Sequence, residues 1–221
     1  MGALLATVLP LALGAAVSPT LFALEILVLS GRRHPVGRGW AVAGGVTAML
    51  IVYTVLGFTV LEHVAHHRSH SATDAAIDLG VALLLALLAM RALRHRPTAA
   101  ESHNRMASRM LDAPTVSFWG VGAVAMLVNF STLVLYLAAL HQIAHSSVVV
   151  ADKVMVVAVV MLITLLPVLV PLLLVGVLGH RADPVLARLN EFVGGHARQI
   201  TAGVEILFCV LLVFKAIGEL S

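Results

Sequence analysis

The stretch AAVSPTLFALEILVLSGRR, Ala15 to Arg33, sets an oily run against two residues that oppose it. Pro19 has no backbone N–H and its ring collides with the preceding turn, so a helix through it should kink or break near Ser18 and Thr20. The carbonyls freed there would be available to a ligand or to water. Glu25 is costly in another way: a charge at the centre of a membrane span costs about 2.5–3.5 kcal/mol on insertion scales, so such residues usually face an interior cavity and mark ion or proton paths. The apolar run lacks Lys and Arg from Met1 to Leu13 and continues to Leu29, which reads as a retained first span rather than a signal peptide.

The rest of the chain has the same character. Of 221 residues, 60% are hydrophobic and 11% charged, with a mean hydropathy of +1.02. Soluble domains carry about 25% charged residues, so this composition points to an all-α integral membrane protein. Six apolar runs, roughly residues 3–30, 39–61, 75–94, 118–140, 154–179 and 199–218, are each near or above the ~20 residues a bilayer requires. They should be helical, because open strands would strand their backbone groups in lipid and the alternation of a barrel strand is absent. The net charge of +3 does not mark a nucleic-acid binder, since the basic residues sit in short connections rather than on one soluble face. Eleven of the fourteen Lys and Arg lie in the connections after spans one, three and five. The positive-inside rule then places those loops in the cytoplasm and both termini outside, in an inner (plasma) membrane protein.

The opening stretch has a counterpart. VSPTLFALE, Val17 to Glu25, aligns with VNFSTLVLY, Val128 to Tyr136, and DLGVALLL from Asp78 aligns weakly with TAGVEILF from Thr201. Two halves of three spans must enter the membrane in opposite senses, which predicts an inverted repeat: residues 1–97, a cytoplasmic linker 98–114, and residues 115–221, in a single membrane domain. Transporters of this design bind substrate near the midplane, where interrupted helices meet. The expected substrate-binding residues are therefore Ser18, Pro19 and Thr20 from the first half and Asn129, Ser131 and Thr132 from the second, with Phe130 standing where the proline would be. Pro167 and Pro171 should loosen span five, chiefly as a structural kink. Tyr53 and Tyr136 are expected to pack.

Glu25 lies seven residues before Arg32 and Glu205 seven after Arg198, which puts both roughly 10 Å inside the cytoplasmic boundary. Two carboxyls at one depth can share a proton, so this pair is the expected proton-coupling site. A rival signal lies in the outer loop, where His63, His66, His67 and His70 accompany Glu62, Asp74 and Asp78 in a donor set suited to zinc, nickel or cobalt. His141 and His145 can join it. A solvated polar loop remains the plainer expectation, and no resident metal or cofactor is expected. In DPVLARLNEFVGG the capping residues and the stripe of Leu186, Leu189 and Val193 predict a short inner-surface helix ended by Gly194 and Gly195. ESHNRMASRMLDAP predicts a second interfacial helix. Cys209, the lone cysteine, permits no internal disulfide. No nucleophile constellation or cofactor motif is present, so an enzyme is not expected.

At GAAVSPTLFALEILVLSGRRHPVGRGWAVAGG and APTVSFWGVGAVAMLVNFSTLVLYLAAL the chain resembles the LysE exporter superfamily, and within it the GAP or Sap group of glycolipid and sulfolipid addressing proteins. The resemblance implies a LysE-like fold and a small transporter or transport accessory for cell-envelope glycolipids, with membrane lipids as its surroundings. Ser18, Pro19 and Thr20 match the superfamily's first proline-containing motif; Asn129 is retained in the second without its proline. The twelve Arg against two Lys fit an actinobacterial, high-GC origin. A divalent-metal exporter, an amino-acid exporter of LysE type and a non-transporting scaffold for lipid-synthesis enzymes are the alternatives, and a homodimer is compatible with each.

Overall fold

The computed structural model describes residues 2–31, 34–65, 114–182 and 184–189, together with residues 191, 193, 195, 196, 199, 202, 203 and 206. The described chain is helical: α1 (Gly2–Ala16), α2 (Pro19–Leu29), α3 (Pro35–Ala65), α4 (Thr115–Val128), α5 (Phe130–Ala144) and α6 (Val150–Leu178), followed by a 3-10 turn at Gly179–Ala182. Two stretches, Pro35–Thr59 and Val150–Leu178, are long and apolar enough to cross a membrane unaided. Two more spans result if each bent pair, α1 with α2 and α4 with α5, is counted as one. The expected spans at 75–94 and 199–218 lie wholly or mostly outside the described residues. So do the methionine-bearing connector, Glu205, and the side chains of His63, His66, His67 and His70.

Side chains such as Leu13, Ile51, Val55, Val116 and Val177 are exposed around the helices, an arrangement suited to lipid rather than water. The core lies between the spans. Val8, Leu11, Ala12 and Ala15 of α1, Leu135, Ala139 and Leu140 of α5, and Val156, Val160 and Val168 of α6 belong to one buried cluster, and α1 packs extensively on α5.

The most extensive pairing joins α3 to α4, and glycine makes it. A Cβ on Gly45 would collide with the carbonyl oxygen of Trp119 and the amide of Ala123, and one on Gly122 with the carbonyl of Val42. The two backbones therefore touch, as small residues allow between membrane helices. Gly44 adjoins the ring of Trp119, which is half exposed. Arg38 is buried on the same seam with its guanidinium 4.8 Å from the Phe118 ring centroid.

Pro167 and Pro171 lie within α6, which runs as one unbroken helix with both prolines buried. One expectation changes. Residues 184–189 are helical as predicted, but Gly195 is itself helical rather than a terminator, as are the described residues beyond it. A lone glycine costs a helix only ~1 kcal/mol and stops it only where the backbone also turns left-handed. Leu186 is buried with Ile26 of α2 and Ala182, beside Phe22 and Leu174, so this segment docks on the spans.

Candidate functional site

Pro19 ends one helix and starts the next. Ser18, in an extended conformation, caps α2 by accepting a bond from the Leu21 amide at 3.3 Å, and Pro19 follows at the first helical position, where its fixed φ is suited. The axes of α1 and α2 differ by 51°. In an uninterrupted helix the amide of residue 19 would bond the carbonyl of Ala15. Pro19 leaves that carbonyl without its donor, and Thr132 Oγ1, from α5, supplies one at 3.1 Å. The oxygen freed by the proline is thus satisfied by a hydroxyl 117 residues away.

The second span breaks more sharply, by 74°, and without a proline. Asn129 sits between α4 and α5 with φ −84° and ψ 75°, a non-helical conformation. Its side-chain amide donates to Ser18 Oγ at 2.6 Å, and its Oδ1 accepts from Ser131 Oγ at 3.3 Å. The two breaks therefore meet and share their polar groups. Of the six residues expected at the site, Ser18, Asn129, Ser131 and Thr132 form this hydrogen-bonded cluster; Pro19 is buried at its edge, and Thr20 is exposed on the first turn of α2. The freed Ala15 carbonyl is occupied by Thr132 rather than turned toward a ligand.

A double-mutant cycle measures the crossing. Ser18→Ala and Asn129→Ala should show a coupling energy of about 0.6–1.7 kcal/mol, the range for hydrogen bonds between membrane helices, read from unfolding in mixed micelles. Additive effects would mean that the bond contributes nothing to holding the breaks together.

Glu25 lies two turns along α2 from the break and is fully buried. Neither carboxyl oxygen has a hydrogen-bond partner. Gly39 of α3 lies against its carboxyl, at a point that Leu172 of α6 and Leu29 of α2 also approach. Tyr136 occupies the matching position, seven residues past its own break, and is equally buried; its hydroxyl bonds Thr54 Oγ1 of α3 at 2.7 Å. Two positions alike in register thus differ chemically, one satisfied across the bundle and one not. Tyr53 donates to the Met126 carbonyl at 3.5 Å, so both tyrosines pack as expected. His141 and His145 meet at the end of α5 with ring centroids 4.3 Å apart and planes tilted by 40°, and Lys153 Nζ caps that end through the Ala144 carbonyl at 2.7 Å. Among the described residues no three His, Cys, Asp or Glu side chains come together as a metal site would need.

Residues 8–218 match the family model described as Sap, sulfolipid-1-addressing protein. This chain belongs to the Sap, sulfolipid-1-addressing protein, family. No curated protein and no solved structure matches it. Sap membership, with the apolar membrane-length helices, places the chain in a membrane and gives it a lipid-related role. Sap proteins are addressing proteins rather than catalysts, in keeping with an expectation drawn from the absence of nucleophile and cofactor motifs.

Proposed function

We propose that this chain is an exporter or flippase-like factor for a cell-envelope glycolipid, driven by protons and built from six spans in two inverted halves. The reading takes the whole chain as one membrane domain, residues 1–97 and 115–221 joined by a cytoplasmic linker, with both termini outside the cytoplasm. The single observation that carries it is the Asn129 to Ser18 hydrogen bond, which joins the interruptions of two spans at one point. Interrupted helices meeting from two repeats are the usual substrate site of such transporters.

Helix pairing adds support. Exchanging α1 with α4, α2 with α5 and α3 with α6 turns the α2–α6 contact into α5–α3, the α2–α3 contact into α5–α6 and the α1–α6 contact into α4–α3, and all six contacts are present. Under this reading Ser18, Pro19, Thr20, Asn129, Ser131 and Thr132 bind the polar head of the lipid, exchanging their mutual hydrogen bonds for bonds to its hydroxyls. Glu25 carries the coupling proton, and Glu205 is its proposed partner.

Reconstitution tests the reading. In vesicles containing a fluorescent sulfated glycolipid, the purified chain should move the lipid between leaflets at a rate that rises with an imposed pH gradient. Movement that a free amino acid abolishes by competition would indicate an amino-acid exporter, and movement driven by a zinc gradient a metal exporter. Absence of movement without added lipid-synthesis enzymes would favour the scaffold.

A further inference from the structure

We propose that Gly39 positions the Glu25 carboxyl for proton transfer by leaving open the slot in which it lies. The inference rests on the reading of Glu25 as the coupling group and assigns a role to a residue that no motif singles out. A Cβ built on Gly39 would stand 2.5 Å from Glu25 Oε1, 2.8 Å from Leu172 Cδ1 and 3.0 Å from Leu29 Cδ2. The first of these is closer than non-bonded carbon and oxygen atoms approach. Residues of three helices therefore crowd the space beside Gly39, and only a residue without a side chain lets the Glu25 carboxyl lie against α3.

Among the described residues neither Glu25 oxygen has a hydrogen-bond partner. An ionised carboxylate buried without a partner is costly, so the group must give up its proton to a partner or through a movement that brings it to water.

Among the described residues few other ionisable groups lie on the elements packed against α2. On the helices packed against α2, α4 has none and α6 has none between Val154 and Leu178. On and just before α3, His34 is exposed, Arg38 lies over Phe118, Tyr53 donates to Met126, and Glu62 and His63 are near its far end. Arg188, in the segment docked on α2, is exposed.

The test uses the full chain in lipid vesicles, infrared spectroscopy and the lipid-movement assay. Wild type should show a carboxylic acid C=O band that is lost in Glu25→Gln. Gly39→Ala should shift that band, displace the pH profile of gradient-driven movement and slow it about tenfold, as misplacing a reacting group does. Adding Leu172→Ala to Gly39→Ala should return band and profile toward wild type. If Gly39→Ala alone does not insert, Leu172→Ala decides, because a widened slot should move the band and an unmoved band overturns the proposal. A wild-type band and profile in Gly39→Ala, with Glu25→Gln inactive, overturns the role of Gly39 and leaves the coupling reading standing. Wild-type movement in Glu25→Gln overturns the coupling reading and this inference with it.

Discussion

Glu25→Gln should reduce pH-gradient-driven lipid movement to background while leaving insertion unchanged. The amide has nearly the same shape as the carboxyl and fits the same space beside Gly39, so folding stability should change by less than about 1 kcal/mol. Glu25→Leu sharpens the test. Removing a buried polar group that has no partner should stabilise the fold by about 1–3 kcal/mol, because the desolvation cost of Glu25 disappears with it. A packing role predicts that the leucine variant is both more stable and active. A coupling role predicts that it is more stable and inactive. Unfolding in mixed micelles and movement in vesicles, measured on the same preparation, separate the two.

Gly45→Ala should destabilise the protein by about 3 kcal/mol, at the upper end of ordinary overpacking. Alanine improves helix propensity by ~1 kcal/mol over glycine, so a site with room would gain. Gly45 has none: the atoms its methyl would strike are a backbone carbonyl and amide, which cannot rotate away, and α3 and α4 must separate instead. Two other glycines calibrate the result. Gly44→Ala meets the edge of the Trp119 ring at 3.3 Å, a side chain that can move, and should fall within about 1 kcal/mol of wild type. Gly120→Ala meets nothing within 4 Å and should gain up to ~1 kcal/mol. Denaturation midpoints in detergent that rank the three variants in any other order would refute the contact.

The membrane class and the first break were legible because each follows from local chemistry. An apolar chain must be helical in lipid, and Pro19 lacks the donor that the Ala15 carbonyl needs. Glu25 was legible as a buried acid for the same reason. The break at Asn129 was the harder reading, since the residue that helps hold it open, Ser18, is 111 positions away. Gly39 and Gly45 were silent because their importance lies in atoms of other helices. The prolines of α6 lie within a continuous helix. A membrane helix breaks where side chains can replace the backbone bonds it loses, and at the crossing Ser18 takes the Leu21 amide while Thr132 serves the Ala15 carbonyl. The one hydroxyl of α6, Thr164, bonds its own helix at the Val160 carbonyl, and α6 stays continuous.

The hydroxyl of Thr132 on the Ala15 carbonyl carries an electrical consequence. Each polar atom bonded at the crossing is one that need not recruit a file of water from either side. If the chain is the carrier proposed above, the membrane voltage would fall across this closed point, and the bilayer would stay sealed against ion leakage while the carrier rests.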